Sequence, residues 1–342
     1  MSHRTFYLTL FIGGVFWVNP YPTSGENPRD SRTPQQAVEK GLEFLIADAV
    51  TWRKERDCAT CHHGTMTVWA LNEAKARGFP FDESALAENE KWTKERFMER
   101  MEKPRDTRPG WRMVSTPGIY LSFMALTVPE QKSLSPDELK IVTDHLIRHQ
   151  EENGAWEWSS APPKNRPPPF FESDEVATRL SYLALELDLP YSDEERARVN
   201  ASREKAAAWL KTITPEKTTQ SSALELVMLV QAREPDDVVQ PQIEAFLARQ
   251  NDDGGWGQLD DRASDAYATG QALYAMNLAG VKRDRDEIQR AAAFLVQTQN
   301  DDGSWPMVRR GHPGVTPGDF VIPITYFGSV WGTMGLMRTV GE

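Results

Sequence analysis

A short motif that recurs three times constrains the fold of this chain more than any other feature. It reads Gln, three residues, Gly, one residue and Trp, and its copies occupy residues 150–156, 250–256 and 299–305. The copies start 100 and 49 residues apart. These offsets correspond to two repeats and one repeat of a unit of about 50 residues, a period typical of stacked or closed arrays of helices.

Each copy lies between two helical patterns. Ile243, Phe246 and Leu247 place apolar side chains on one helical face before the second copy, and the Asn, Asp and Gly that follow end that helix. The next segment begins with small polar residues that favour helix N-caps, such as Ser264 and Asp265. Degenerate copies of the unit cover residues 35–74, 88–126 and 200–233. The sequence therefore predicts six helical hairpins, or about twelve helices, with no alternating strand.

The three motifs resemble those of the prenyltransferase/squalene-oxidase repeat family, whose best-known class is the squalene–hopene cyclases. The resemblance covers residues 35–340. It implies an all-α fold, the α/α toroid, in which inner and outer helices surround a central cavity, and six hairpins would close one such ring. The N-termini of the inner helices then open on one face, where their positive dipole ends meet. We expect candidate chemistry at this face, which we call the mouth.

The first 25 residues differ from the rest of the chain. Arg4 supplies a positive charge, residues 6–18 are apolar except for one Thr, and residues 23–25 are small. This order is typical of a secretory signal, with an uncleaved N-terminal anchor as the alternative. We therefore predict that residues 1–25 direct export and that residues 26–342 form one toroid domain in the periplasm or outside the cell.

Charge and hydropathy exclude two classes of protein. The chain has 39 basic and 50 acidic residues and a formal net charge of −11, which argues against a nucleic-acid binder, since such binding depends on clustered Lys and Arg. No apolar run reaches the roughly 18 to 20 residues that span a bilayer, which excludes a multi-pass membrane protein. We expect membrane contact only through the N-terminal segment.

The only two cysteines lie in a Cys-x-x-Cys-His motif formed by Cys58, Cys61 and His62. In an exported chain this motif resembles the haem attachment motif of c-type cytochromes. The resemblance implies that Cys58 and Cys61 bind one haem c through thioethers and that His62 is an axial ligand of its iron. A zinc site that adds His63, a disulfide between the two cysteines and an inert turn are the alternatives.

A second candidate site is acidic. Glu172, Asp174, Glu175 and Ala177 match four positions of the motif that class II terpene cyclases carry at the start of an inner helix. That resemblance implies that Asp174 donates a proton to an alkene, which requires a carboxyl group kept protonated by desolvation and neighbouring carboxylates. In the alternative, Ser173 or Asp174 caps the helix and Glu175 interacts with its dipole.

Other polar and aromatic residues are expected to have structural roles. We expect the tryptophans at repeat positions to pack rather than to stack a ligand, the aspartates after the second motif to cap a helix and solvate a loop, and the histidine pair at i and i+4 to lie on a solvated helix face. These residues are Trp156, Trp158, Trp256, Trp305, Asp260, Asp261, Asp265, His145 and His149.

Taken together, the motifs favour an exported toroid protein that carries covalent haem c and has a redox or cavity ligand-binding role. A hydrophobic or isoprenoid small molecule and a redox partner are the candidate partners. An isoprenoid or terpene cyclase-like enzyme that uses the acidic motif, and a non-catalytic interaction scaffold, remain as alternatives because one fold hosts many functions.

Overall fold

The protein is described here by a computed structural model, which covers residues 32–56, 61–101, 134–157, 173–185, 191–215, 217–307 and 321–341. These residues form eleven α-helices and one π-helical segment, Cys61–Met66, and they contain isolated β-bridges but no β-strand. The α-helices are α1 (Pro34–Glu55), α2 (Thr67–Ala76), α3 (Glu83–Met101), α4 (Pro136–His149), α5 (Asp174–Ala184), α6 (Asp193–Leu210), α7 (Thr219–Gln231), α8 (Asp236–Leu247), α9 (Ala266–Leu278), α10 (Asp286–Thr298) and α11 (Val321–Met337).

The helices form two layers, as the repeat pattern predicts. Helices α5, α7, α9, α11 and α2 pack against one another in that order and form the inner layer. The outer layer contains α1, α3, α4, α6, α8 and α10, and each of these except α3 is followed by an inner helix among the described residues. The inner half of the second predicted hairpin, at residues 119–126, lies outside the described residues. The predicted all-α toroid is confirmed.

The three complete motifs make the same hydrogen bonds. Each Trp side chain donates to a carbonyl ten residues earlier on the outer helix, and each Trp backbone N–H donates to a hydroxyl on the following inner helix. The indoles of Trp156, Trp256 and Trp305 bond to Leu146, Phe246 and Leu295 at 2.9, 3.1 and 2.7 Å, and their backbone amides bond to Thr178, Thr269 and Ser329 at 3.0, 2.9 and 2.8 Å. These three residues therefore join the outer and inner layers, whereas Trp158 lies outside the described residues.

The glutamine of each motif joins one outer helix to the next. Gln150, Gln250 and Gln299 donate to backbone carbonyls of Ser202, Glu287 and Ala37 at 2.8, 2.7 and 2.8 Å. The third bond reaches α1, so the motif that follows α10 holds the first helix of the chain. Gly303 adopts a positive φ of 91° at this junction, and a Cβ there would lie 2.2 Å from the carbonyl oxygen of Lys40. The ring thus closes through a backbone approach that only glycine allows.

A buried ionic network also links the first and last inner helices. Glu73 on α2 accepts two hydrogen bonds from Arg338, at 2.7 and 2.8 Å, and one from the hydroxyl of Tyr274 at 3.0 Å. Asn277 accepts from the other terminal nitrogen of Arg338 at 3.1 Å. This network lies at the C-terminal ends of α2, α9 and α11, on the side of the ring opposite the mouth. Within the described residues, no helix has the combined length and apolar character that crossing a bilayer requires.

Candidate functional site

The Cys-x-x-Cys-His motif leads directly into an inner helix. The π-helical segment Cys61–Met66 continues without a break into α2, which begins at Thr67. Such π-helical turns are rare in proteins, and those that do occur often lie at functional sites. Cys58 lies outside the described residues. The segment that follows Cys61 therefore lies at the N-terminal end of the first inner helix.

Two buried histidines and an aspartate form a hydrogen-bonded chain at this end of α2. The Nδ1 atoms of His62 and His63 bond to each other, and Nε2 of His63 lies 2.9 Å from a carboxylate oxygen of Asp48 on α1. Because a carboxylate only accepts, His63 carries its proton on Nε2 and accepts at Nδ1 from the N–H of His62. In this assignment the proton of His62 lies on its Nδ1.

Burial keeps both histidines neutral. The side chains of His62 and His63 are 6% and 0% exposed. Two effects hold the pKa of His62 well below its ordinary value. Desolvation is the larger, and the electrostatic effect of His63 is the smaller. Desolvation also lowers the pKa of His63, although the hydrogen bond and charge of Asp48 oppose the shift. Neutral imidazole is the state that a metal site requires.

Aromatic side chains from two helices enclose the histidines. Trp52 of α1 stacks on His63 with a centroid distance of 4.5 Å and an interplanar angle of 4°, and Tyr326 of α11 lies on the same ring at 3.7 Å. His62 contacts Trp52 edge-on at 4.9 Å and Phe327 at 5.8 Å. The site is therefore apolar around two nitrogen-bearing rings.

Polar contacts fix the backbone of the same segment. The side-chain amide of Asn89, on α3, donates to the carbonyls of His63 and Gly64 at 3.2 and 3.0 Å. Thr67 donates to the carbonyl of His63 at 3.0 Å and lies 2.5 Å from the hydroxyl of Tyr326. Burial raises the pKa of Tyr326 above its usual value, so its phenol stays protonated. Helices α1, α3 and α11 together hold the π-helical segment in place.

The described residues include some, but not all, of the ligands that the haem and zinc interpretations require. The described residues contain no group of three or more His, Cys, Asp or Glu side chains arranged to hold a metal ion. The proposed ligand sets for haem c and for zinc both include Cys58, which the described residues leave out. The assignments of Cys58, Cys61, His62 and His63 as ligands therefore stay predictions.

At the acidic motif, the structure describes the cap but not every acid. Ser173 is the N-cap of α5 and accepts from the backbone N–H of Val176 at 3.2 Å. Asp174, the first helical residue, is half-buried. Glu175 is 3% exposed and accepts from Arg179 at 2.9 Å and from the hydroxyl of Ser221. Residue 172 lies outside the described residues, and the role of Asp174 as an acid stays a prediction.

Two other groups of polar residues can be placed. Asp265 caps α9 by accepting from Ala268 at 2.8 Å, as expected. The expectation of a solvated face for His145 and His149 is wrong, because both are buried and lie on the same face of α4 as Leu146. His145 lies within 3.3 Å of the carbonyl of Met101, and His149 within 2.7 Å of the carbonyl of His145.

The sequence analysis did not identify the partners of His62 and His63. Asp48 and Trp52 are four residues apart on α1, and Tyr326 is more than 250 residues away in the chain. The spacing of Asp48 and Trp52 puts them on one helical face, which was the one available signal. The contact with Tyr326 follows from ring closure, which no local pattern reports.

Comparison with known proteins supports the fold and covers only part of the chain. Residues 193–298 match the family described as squalene-hopene cyclase N-terminal domain. Drimenyl diphosphate synthase from Streptomyces showdoensis is 27% identical over 199 residues, which cover 54% of this chain and 36% of that protein. Squalene–hopene cyclase from Zymomonas mobilis is 32% identical over 112 residues, which cover 31% and 16%. The matched regions thus span about a third or less of these relatives' lengths.

Solved structures with the same architecture have different activities. The unsaturated glucuronyl hydrolase from Bacillus sp. GL1 matches with a TM-score of 0.57 at 14% identity, covering 90% of this chain and 96% of that one. The type II terpene cyclase MstE from Scytonema matches with a TM-score of 0.51 at 14% identity, covering 88% and 98%. Similarity at this level shows the fold alone. The chain is therefore an α/α toroid that is similar to the squalene-hopene cyclase N-terminal domain over residues 193–298, and its Cys-x-x-Cys-His segment lies outside that region.

Proposed function

We propose that this toroid binds one covalent haem c at its mouth and acts as an exported redox protein. In this proposal Cys58 and Cys61 form the thioethers and His62 is the axial ligand. One observation carries the proposal: the residue after the second cysteine is a buried, neutral histidine whose Nδ1 is already hydrogen-bonded. A ligand histidine of a metal centre is held in this way.

Two kinds of contact around His62 support the proposal. Trp52 and Phe327 give the imidazole apolar neighbours, and such a shell limits access of water to an iron centre. Thr67 and Asn89 bond to the backbone on the C-terminal side of the ligand and hold the segment that carries it. Bound in this position, haem c would supply one-electron chemistry. We further propose that the partner is a redox protein or a hydrophobic or isoprenoid small molecule held in the ring.

The decisive experiment is expression of the full chain, with its N-terminal segment, in a host that carries periplasmic haem-ligation machinery. We expect the intact mass to include one haem and the reduced pyridine complex to have the spectrum of a haem with two thioethers. Exchange of both Cys58 and Cys61 for Ala should abolish the added mass. His62→Ala should leave the iron with altered spin state, whereas His149→Gln, which changes a buried histidine on α4, should leave the spectrum unchanged.

Other results would reject haem binding. Two free thiols, or an intramolecular disulfide, in protein made under these conditions would contradict the proposal. A colourless protein with one equivalent of zinc, lost together with Cys58, would assign the motif to the zinc alternative. Circular dichroism of each variant separates loss of haem from loss of fold.

A cyclase-like activity is the second candidate, and the similarity to drimenyl diphosphate synthase over 199 residues favours it. Asp174 would then be the acid, with Glu175 occupied by Arg179 and Ser221. Incubation with squalene and with prenyl diphosphates, followed by mass spectrometry of the products, tests this activity. Asp193→Asn is the matched control for Asp174→Asn, because Asp193 also follows a serine N-cap. Cyclised products lost only in Asp174→Asn would support the cyclase, and their absence in the parent protein would reject it.

A further inference from the structure

We propose that Arg77, together with Arg283, forms a binding site for a small oxyanion such as inorganic phosphate, on the face of the ring opposite the mouth. Arg77 is the C-cap of α2 and lies at the edge of the buried network of Glu73 and Arg338. The site contains none of the residues of the proposed haem centre, so it does not depend on the proposed function.

The carboxylate of Glu73 is occupied mainly by other donors. It accepts two hydrogen bonds from Arg338, at 2.7 and 2.8 Å, and one from the hydroxyl of Tyr274 at 3.0 Å. Nε of Arg77 lies 3.6 Å from a carboxylate oxygen of Glu73, which is beyond hydrogen-bond length. Glu73 therefore pairs closely with Arg338 and neutralises the charge of Arg77 only in part.

The other polar contact of Arg77 is long as well. Its Nη2 donates to the side-chain oxygen of Asn277 at 3.5 Å, whereas Arg338 donates to the same oxygen at 3.1 Å. Nε of Arg77 is buried and makes no hydrogen bond with the residues that the structure describes. A guanidinium group carries five N–H donors in a planar fork that suits an oxyanion. Because the side chain of Arg77 is 23% exposed, an anion from solvent can reach it.

The local charge is positive. Burial lowers the pKa of Arg77, the charges of Arg338 and Arg283 lower it further, and Glu73 opposes the shift. Burial also raises the pKa of Tyr274, so its neutral phenol adds no negative charge. Among the described residues, two guanidinium groups and one carboxylate thus act on a third guanidinium, although the chain has a formal net charge of −11. A bound oxyanion would offset this local excess of positive charge.

A purely structural role for these arginines is the alternative. Cationic side chains near the last turn of a helix interact favourably with its C-terminal dipole, and Arg283 donates to the carbonyl of Gly341, just beyond α11. Among the described residues, this role gives Arg77 no hydrogen bond shorter than its 3.5 Å contact with Asn277. The two roles differ in whether the arginines respond to an added anion.

Titration of the full-length protein with inorganic phosphate tests the site. Parent protein, Arg77→Gln and Arg53→Gln are compared by isothermal titration calorimetry, and circular dichroism confirms that each is folded. Arg53 is the matched control, because its side chain is 22% exposed and it pairs with Glu88 at 2.6 Å. Thermal midpoints in phosphate and in chloride of equal ionic strength separate binding from screening of charge.

We expect saturable binding to one site in the parent protein and in Arg53→Gln. The affinity should be about tenfold lower in Arg77→Gln, because a charge-assisted hydrogen bond is lost. Arg77→Lys keeps the charge without the planar fork and should give an intermediate value. Arg283→Gln changes a half-buried residue outside the helices; it should also weaken binding, and it tests the site if Arg77→Gln does not fold.

A general effect of phosphate would overturn the proposal. Phosphate stabilises many proteins because it is excluded from their surface, and this effect is not confined to one site. A thermal midpoint that rises without saturation and equally in the parent protein and Arg77→Gln would therefore reject the site, as would equal affinities in Arg77→Gln and Arg53→Gln.

Vesicle binding identifies the source of the oxyanion. The full-length protein is sedimented with phosphatidylcholine vesicles that contain or lack phosphatidylglycerol. Binding to the anionic vesicles that is lost in Arg77→Gln would support the site with a lipid headgroup as its ligand. Phosphate binding without such sedimentation would support it with a soluble anion.

Discussion

The junction that closes the ring gives the sharpest test of the fold, through the substitution Gly303→Ala. Gly303 has a φ of 91°, and an added Cβ would lie 2.2 Å from the carbonyl oxygen and 2.7 Å from the carbonyl carbon of Lys40 on α1. Both atoms belong to helical backbone, so the contact cannot be relieved by a side-chain rotation. Helix α1 must instead move by roughly 1 Å to restore van der Waals distances.

The magnitude follows from two contributions. A non-glycine residue in the left-handed region costs about 1–2 kcal/mol. Movement of α1 also strains the bonds from Gln299 to the carbonyls of Ala37 and Gly303, now 2.8 and 3.1 Å, and each such bond contributes about 0.5–1.5 kcal/mol net. We therefore expect Gly303→Ala to lower the free energy of unfolding by about 2–5 kcal/mol.

Gly280→Ala is the matched control. Gly280 has a φ of 75°, and an added Cβ there meets nothing within 4 Å, so it bears only the backbone cost of about 1–2 kcal/mol. Urea unfolding followed by far-ultraviolet circular dichroism measures both variants, and hydrogen exchange should show lost protection in α1 for Gly303→Ala alone. Equal losses for the two variants, or protection retained in α1, would refute this account of ring closure.

Three further predictions concern separate features. Arg338→Met leaves the buried carboxylate of Glu73 without its main partner and should cost about 3–5 kcal/mol in urea unfolding, and replacing Glu73 by Leu in the same chain should restore most of that loss. Trp256→Phe removes the indole donor to the carbonyl of Phe246, which lies 3.1 Å away, and should cost about 1–3 kcal/mol because that carbonyl is buried. The hydrogen bond from Lys140 is the largest cause that lowers the pKa of Glu195 to about 2, and the bonds from the capping Ser192 are the next. The stabilisation that ionised Glu195 contributes is therefore present above pH 4.5 and is lost as the pH falls from 4.5 to about 2. Glu195→Gln should therefore flatten the acid limb of the stability curve, and an unchanged limb would contradict this role.

The fold could be predicted because its determinants are local and repeated. Apolar spacing, a glycine that ends one helix and a serine or aspartate that caps the next recur within each unit. Asp265 illustrates this, since its capping bond to Ala268 spans three residues. The orientation of α4 could not be predicted in the same way. His145 and His149 look like polar surface residues, but the face that they share with Leu146 is the one that packs inward.

The candidate site was harder to predict, because its contacts join distant parts of the chain. The Cys-x-x-Cys-His motif marks the position of His62, yet Asp48 and Tyr326 become neighbours of the histidines only when α1 packs against α11. Glu73 and Arg338 are 265 residues apart and carry no shared pattern. Such pairs depend on the register with which the last hairpin meets the first, and a periodic sequence leaves that register open.

The Gln-to-Trp motif and the Cys-x-x-Cys-His motif occupy equivalent positions in their hairpins, between an outer and an inner helix. In three hairpins the connection from the outer to the inner helix is the Gln-to-Trp motif. Its indole bonds to the outer helix, the Trp backbone N–H bonds to the inner helix, and its Gln bonds to the next outer helix. In the first hairpin the same connection contains Cys61, His62 and the π-helical turn. There α1 is held by Gln299 and Gly303 from the last hairpin and by Tyr326, which donates to the carbonyl of Leu45 at 3.0 Å. Because Gln299, Gly303 and Tyr326 hold α1 in place, closure of the ring does not depend on a Gln-to-Trp motif in the first hairpin.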